Sequence, residues 1–265
     1  MKSYLRWVGS KSRIIDNVVE KIGKVSGRLI EPFVGSATVA INADAKEYIC
    51  YDINERLIKT HQAICKNVDK VLLELRVLLN CGRDDYYKIR AEFNTPQTDI
   101  YKLAAMFIYL NRTGFNGLYR ENKSGGYNTP MGSGNIKQNV DELIQFSKKF
   151  NSSDFVCGDF TKAFKAAKVG DVIYVDPPYP STSETLSDVK YHQGNFGIKE
   201  HIKLHSECIK AAKRGIKVVV SNANTIMIRE LYADADEIEE ILAYRSISST
   251  NNRANAKELI ITYRG

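Results

Sequence analysis

The chain has 265 residues, 43 % hydrophobic and 26 % charged, which is enough for a sizeable core in one large or two modest domains. Lys2, Arg6, Lys11 and Arg13 break up the amino terminus and no apolar run reaches the length of a membrane span, so neither a signal peptide nor an anchor is expected. A net charge of +7 favours an anionic partner, and five scattered cysteines without a Cys-x-x-Cys pair argue against a disulfide framework or a zinc site and for reduced thiols in the cytoplasm.

Ile14, Ile15, Val18, Val19 and Ile22 recur at helical spacing. Arg28 to Phe33 then reads as a strand running into a turn, and Gly35-Ser36 opens a helix that the pattern carries to about Ala45. Tyr48 to Asp52 is a second buried strand ending on a carboxylate, which completes a βαβ unit. From Glu55 to about Asn111 the apolar spacing is nearly all helical, as in Val71, Leu72, Leu75 and Leu79 or Leu103, Phe107 and Ile108. Residues 112–138, rich in Gly, Asn, Ser and Thr, read as a long ordered loop or loose hairpin. Strand and helix alternate again at Phe155 to Cys157, Val172 to Asp176 and Val218 to Ser221, with helices near 160–168 and 198–213. A strand pair between Glu239 and Tyr263 closes the chain. Residues 56–150 hold 15 Lys and Arg against 9 Asp and Glu, so most of the excess positive charge sits in the helical middle. Such a field suits a polyanion, although solvated helix faces give the same count.

The most informative residues are Asp176-Pro177-Pro178-Tyr179, directly after an apolar strand. In an open α/β sheet that position is the carboxyl edge, where ligands bind. Prolines stiffen the turn and leave carbonyl oxygens without competing N–H groups. The Asp176 carboxylate and the Pro177 carbonyl are therefore suited to accept both hydrogens of an amino group, leaving its nitrogen lone pair free. Tyr179 adds a ring on which a planar base stacks, and a base reached in this way has to leave its duplex. The plain alternative is an ordinary proline turn.

Glu31-Pro32-Phe33-Val34-Gly35-Ser36 follows the first strand and precedes a helix, a place where a ligand approaches backbone. It lacks the three spaced glycines of a dinucleotide fingerprint, which argues against a nicotinamide cofactor. Asp52 either accepts hydrogen bonds from ribose hydroxyls or caps the next helix. Trp7, the only tryptophan, is a core anchor or, if residues 7–11 are helical, shares a face with Lys11 at a site for a carboxylate-bearing nucleoside.

These residues together resemble the Dam family of DNA adenine methyltransferases, which recognise GATC. The likeness runs nearly end to end, through Trp7 to Lys11, Glu31 to Gly35, Asp52 to Asn54, Tyr109 to Arg112, Gly114 to Arg120, Asp176 to Tyr179, Tyr191-His192, Ser221-Asn222 and Arg245 to Ser249. The resemblance implies a Rossmann-like sheet that binds S-adenosylmethionine (AdoMet), made of residues 1–54 and 151–265, with a mainly helical target-recognition domain inserted at 55–150. It implies catalysis by Asp176, Pro177, Pro178 and Tyr179 without a metal. AdoMet contacts are implied at Trp7, Lys11, Glu31, Pro32, Phe33, Gly35, Asp52, Asp159 and Asp176. Phe115 matches the aromatic that intercalates beside the flipped base; Asn116, Leu118, Arg120 and Pro130 match positions that read or press on the target, and Arg6 one that contacts the outer base pair. Arg120 carries the most weight, because a guanidinium grips guanine bidentately. Departures from the family pattern are Ser10 for a glycine, Phe115 for a tyrosine and Ser133 for a phosphate-contacting arginine, a role open to Lys137.

The expected protein is thus a monomer in solution, with more than one copy per DNA as the alternative, acting on double-stranded DNA, of bacterial, phage or mobile-element origin, with the polar segment Pro180 to Asn195 ordering on the substrate or serving as a plain connector. An adenine methyltransferase of different recognition sequence, a DNA-binding protein with an inactive transferase fold, and a methyltransferase acting on protein amides or RNA are the alternatives. Asp176 with Asp188 to Lys190 also fits the loose spacing of metal-dependent nucleases, but in a loop too unsettled for metal ligands.

Overall fold

The computed structural model describes residues 1–81, 83–133, 140–180, 196–243 and 256–265. Seven strands form one sheet: β1 (Val25–Glu31), β2 (Ala45–Asp52), β3 (Asp154–Cys157), β4 (Val172–Val175), β5 (Lys217–Ala223), β6 (Glu237–Ala243) and β7 (Ala256–Tyr263). Their order is β3-β2-β1-β4-β5-β7-β6, parallel except for β7, which runs against both its neighbours. All four residues of β4 are buried, as a central parallel strand covered on both faces requires. The direction of winding reverses between β1 and β4, so their carboxyl ends open a crevice, and this positions the site. The architecture is the expected Rossmann-like α/β sheet.

One face of the sheet carries α1 (Ile15–Ile22) and α2 (Thr38–Asn42), and on it also lie helices of the middle segment: α3 (Glu55–Lys66), α4 (Val68–Leu79), α5 (Arg83–Phe93), α6 (Ile100–Thr113) and α7 (Val140–Lys149). The other face is covered by α8 (Phe160–Ala166), α9 (Ile198–Lys213) and α10 (Ile226–Leu231). Ten of the fourteen residues of α6 are buried, which makes it the axis of the helical segment. The hydrophobic cluster runs without a break from Leu29 and Tyr48 in the sheet through Leu57 of α3 to Phe107 of α6 and Phe146 of α7. Side-chain caps start these helices: Asn54 accepts from the Leu57 N–H, Asn67 from Lys70, and Asp99 from Tyr101 and Lys102.

Residues 114–133 form a loose hairpin, held where the Phe115 N–H donates to the Pro130 carbonyl (2.9 Å), Asn128 to Arg120 (2.9 Å) and Gly132 to Thr113 (2.7 Å). One local expectation is corrected, and one alternative left open by the sequence is decided. The helix after Gly35 is only Thr38–Asn42, because Ala37 takes a left-handed φ of 55° ahead of it and β2 already begins at Ala45. Residues 7–11 are not helical: Gly9 takes φ 78° and the first helix starts at Ile15. Helix α10 carries no signal in the sequence reading.

Candidate active site

A cleft of about 910 Å³ opens at the carboxyl ends of β1, β2 and β4. It is lined by every position expected to hold the cofactor or do the chemistry: Trp7, Lys11, Glu31 to Phe33, Gly35, Asp52, Asp159 and Asp176 to Tyr179. Its floor is the turn after β1. The Gly35 N–H donates to Asp52 Oδ2 at 3.0 Å, and a Cβ on Gly35, at φ 47°, would stand 2.8 Å from the Trp7 indole. Only glycine tolerates both that angle and that contact. The second oxygen of Asp52 accepts from the Asn54 N–H at 2.9 Å, so Asp52 braces two turns and the capping of α3 falls to Asn54. Burial raises the pKa of Asp52 against these N–H donors.

Glu31 ends β1 with 2 % exposure, and its Oε1 has no hydrogen-bond partner among the described residues. Burial, with the Asp176 charge nearby, pushes this carboxyl well above the usual range. Phe33 stacks on Phe160 (5.7 Å between centroids) and meets Phe196 edge-on (5.4 Å), making an aromatic wall. Asp159 lines the cleft and caps α8 by accepting from the Thr161 N–H at 2.9 Å.

At the end of β4, Asp176 Oδ2 is 2.8 Å from Lys11 Nζ, an ion pair whose side chains are 21 % and 3 % exposed. The ammonium also donates to the Gly9 carbonyl at 2.7 Å and lies 4.8 Å from the centre of the Tyr179 ring. Gly9 thus bends residues 7–11 so that Lys11 reaches Asp176, which explains why that stretch is not a helix. Burial pushes the Asp176 carboxyl up to about 6 even though Lys11 pulls it down. Tyr179 donates its hydroxyl to Glu258 Oε2 at 2.8 Å, and burial raises its pKa further than the adjacent carboxylates do. Glu258 is one residue that the sequence does not single out. It sits on β7, 4.0 Å from Lys11 Nζ, and in sequence looks like any polar position of a closing strand.

The expected DNA-reading residues gather on the hairpin and the strap before Trp7. Phe115 is 51 % exposed, Asn116 takes a left-handed φ of 55°, Leu118 is half-buried and Pro130 is exposed. Arg120 is exposed and donates from Nε to Asn128 Oδ1 at 2.8 Å. The stem of Arg6 packs against Gly117, while Asn111 on α6 accepts from the Arg6 N–H (2.9 Å) and donates to the Gly117 carbonyl (3.0 Å). Trp7 joins this surface to the cleft, its ring 5.8 Å from that of Tyr119. Lys137, Asp188 to Lys190, Tyr191-His192, Arg245 to Ser249 and nearly all of the segment to Asn195 lie outside the described residues.

A sheet that reverses between β1 and β4, with acidic residues at three strand ends around one cleft, defines a nucleotide-type cosubstrate fold of the Rossmann kind. The family model for D12 class N6 adenine-specific DNA methyltransferases matches residues 7–247. A DNA adenine methylase of Escherichia coli strain K12 is 33 % identical over 269 residues, covering 99 % of this chain and 95 % of the relative. The retron Ec67 DNA adenine methylase of Escherichia coli is 35 % identical (98 % and 90 % covered), and the DNA adenine methylase of Haemophilus influenzae 34 % (99 % and 93 %). The chain belongs to the D12 class of N6 adenine-specific DNA methyltransferases. It is a site-specific adenine methyltransferase with AdoMet as methyl donor and DNA as substrate. The cleft fits that donor: the unpartnered Glu31 oxygen suits an ammonium, and each Asp52 oxygen, with one N–H bound, keeps a lone pair for a hydroxyl. Among the described residues no helix is long and apolar enough to cross a membrane.

Proposed function

We propose that the chain methylates the 6-amino group of adenine within GATC, after turning that base out of the duplex into the cleft beside Asp176 to Tyr179. The observation that carries this is one cleft in which the Asp176-Pro177-Pro178-Tyr179 turn faces the Gly35 turn. AdoMet, when bound, supplies the electrophilic methyl group. Trp7, Gly35 and Asp52 shape its seat, Glu31 receives its ammonium, and Asp159 and the Phe33 wall take its nucleoside end. The Asp176 carboxylate and the Pro177 carbonyl accept the two amine hydrogens, which leaves the nitrogen lone pair to attack. With its pKa near 6, Asp176 is mostly ionised at neutral pH and suited to take the proton that the amine gives up after transfer. Lys11 shares this carboxylate and keeps it ionised until the amine arrives. Tyr179 stacks on the base, and Phe115 fills the space it leaves, offsetting an extrusion cost of a few kcal/mol. Arg120, with Arg6, Asn116, Leu118 and Pro130, reads the target, and Lys137 supplies a phosphate contact where Ser133 replaces the family arginine. Residues 55–150 serve as the recognition unit. The reaction needs no metal, because the positive donor is its own electrophile, and a monomer in the cytoplasm suffices.

The test is transfer from labelled AdoMet to matched duplexes carrying GATC or GTTC, with Asp176→Ala as control. Transfer to GATC alone, lost in the variant, is expected. Transfer to both duplexes would remove the GATC assignment, and undiminished transfer by Asp176→Ala would remove the catalytic one.

A further inference from the structure

His61, on α3, does not line the cleft; it is fully buried, at 0 % exposure. Its ring packs in a three-ring cluster with Phe146 of α7 (centroids 5.2 Å apart) and Phe155 of β3 (4.8 Å), which also touch each other (5.7 Å). Both ring nitrogens are engaged. Nε2 lies 2.9 Å from the Gly35 carbonyl oxygen, and Nδ1 lies 2.7 Å from the Tyr4 hydroxyl. A carbonyl only accepts, so Nε2 carries the hydrogen, and the neutral ring then leaves Nδ1 to accept from the Tyr4 O–H. Burial lowers the pKa of the ring to about 4, which keeps it in this one-proton form at neutral pH.

The peptide that His61 holds is the one whose placement matters most in the cleft. Gly35 is fixed on three sides: its N–H by Asp52, its Cα by the Trp7 indole, and its carbonyl by His61. At φ 47° that residue has no side chain of its own to steady it, so its orientation is set by these outside contacts. The third contact comes from the first helix of the middle segment. Tyr4 is also held by α6, since its carbonyl accepts from Arg112 Nε at 2.9 Å.

We propose that His61 is a positioning residue for the cofactor turn: its Nε2–H fixes the Gly35–Ser36 peptide and so sets the affinity for AdoMet, while the Tyr4 hydroxyl selects the tautomer that makes this possible. The proposal rests on the assignment of the Gly35 turn to AdoMet.

Three variants test it. His61→Phe keeps an aromatic ring against Phe146 and Phe155 but deletes both hydrogen bonds. His61→Gln restores a donor toward Gly35, and Tyr4→Phe removes only the hydroxyl. AdoMet affinity is measured by calorimetry on the DNA-free protein, beside melting temperature and the KM for DNA. His61→Phe is expected to bind AdoMet about 10-fold more weakly or worse, as the loss of a buried hydrogen bond dictates. His61→Gln should regain most of that affinity, Tyr4→Phe should show a smaller loss of the same sign, and the KM for DNA should stay within about twofold of wild type. The imidazole nitrogen shifts of the ligand-free protein should report a proton on Nε2. A folded His61→Phe with wild-type affinity, a His61→Gln as weak as His61→Phe, or a proton on Nδ1 would overturn the proposal. If His61→Phe fails to fold, Tyr4→Phe and the nitrogen shifts decide. Wild-type protein that bound no AdoMet would count against the functional reading rather than against His61.

Discussion

Replacing Lys11 by methionine perturbs the electrostatics of the cleft while keeping an unbranched stem of similar length. Two opposed effects set the Asp176 carboxyl at about 6: burial raises it, and the ammonium 2.8 Å away lowers it. An opposite charge at such range is worth about 1–3 pKa units, so without it the carboxyl would rise to about 7–9. Glu258, left without the cation between it and Asp176, pushes in the same direction. At pH 7 the ionised fraction of Asp176 would fall from about 90 % to between about 50 % and 1 %. The assay is the pH profile of kcat/KM for a GATC duplex from pH 5 to 9, at saturating AdoMet. In the wild type the rate should fall about tenfold per pH unit below its acid limb, as for loss of one required ionised group. In Lys11→Met that limb should move up by about one unit or more, with activity recovering toward pH 9. A cationic donor in the cleft lowers both limbs alike, so the difference between the two proteins is the quantity to read. Coincident limbs, or a loss that alkaline pH does not restore, would refute the account of Asp176 given above.

Gly35→Ala should weaken AdoMet binding by at least about tenfold and lower the melting temperature, since a left-handed non-glycine residue costs about 1–3 kcal/mol before its clash with Trp7 is counted. Normal calorimetric affinity in that variant would show that the turn is not the cofactor seat. Tyr179→Phe and Glu258→Ala each break the same 2.8 Å hydrogen bond, so each should lower kcat with little change in the KM for AdoMet. Their double variant should be no worse than the poorer single one, and fully additive losses would mean that the two side chains act independently.

The parts of the site legible in the sequence are those that a single strand-to-turn junction encodes. Val172 to Val175 is a continuous apolar run, and a carboxylate and two prolines directly after it can only stand at the carboxyl edge of the sheet. Glu31 to Gly35 and Asp52 were readable for the same reason. What stayed hidden depends on contacts between distant segments. Tyr179 and Glu258 meet across 79 positions, because β7 inserts between β5 and β6, and strand alternation gives a face but no neighbour. His61 and Gly35 belong to different elements, 26 positions apart, and nothing in the local pattern of α3 marks that histidine. The four-residue spacing of Trp7 and Lys11 left open whether the stretch is helical for a related reason: a buried ion pair and a turn at Gly9 fix the backbone there, and tertiary contacts decide it.

The amino-terminal strap ties the cleft to the proposed reading surface. Arg6 packs on Gly117 of the hairpin, and the next residue, Trp7, packs on Gly35 of the cofactor turn. Neither glycine can be enlarged without moving the strap, and α6 grips it through Asn111 and Arg112. A shift of the hairpin as it meets DNA is therefore resisted by the same short stretch of chain that roofs the cofactor turn, in a core continuous from the sheet to α6. Close-packed interiors deform little, so such a strap transmits position instead of absorbing it. For the proposed donor seat and reading surface, accurate placement and accurate reading are set by one packing arrangement, and substitutions of Arg6 or Trp7 should impair both together.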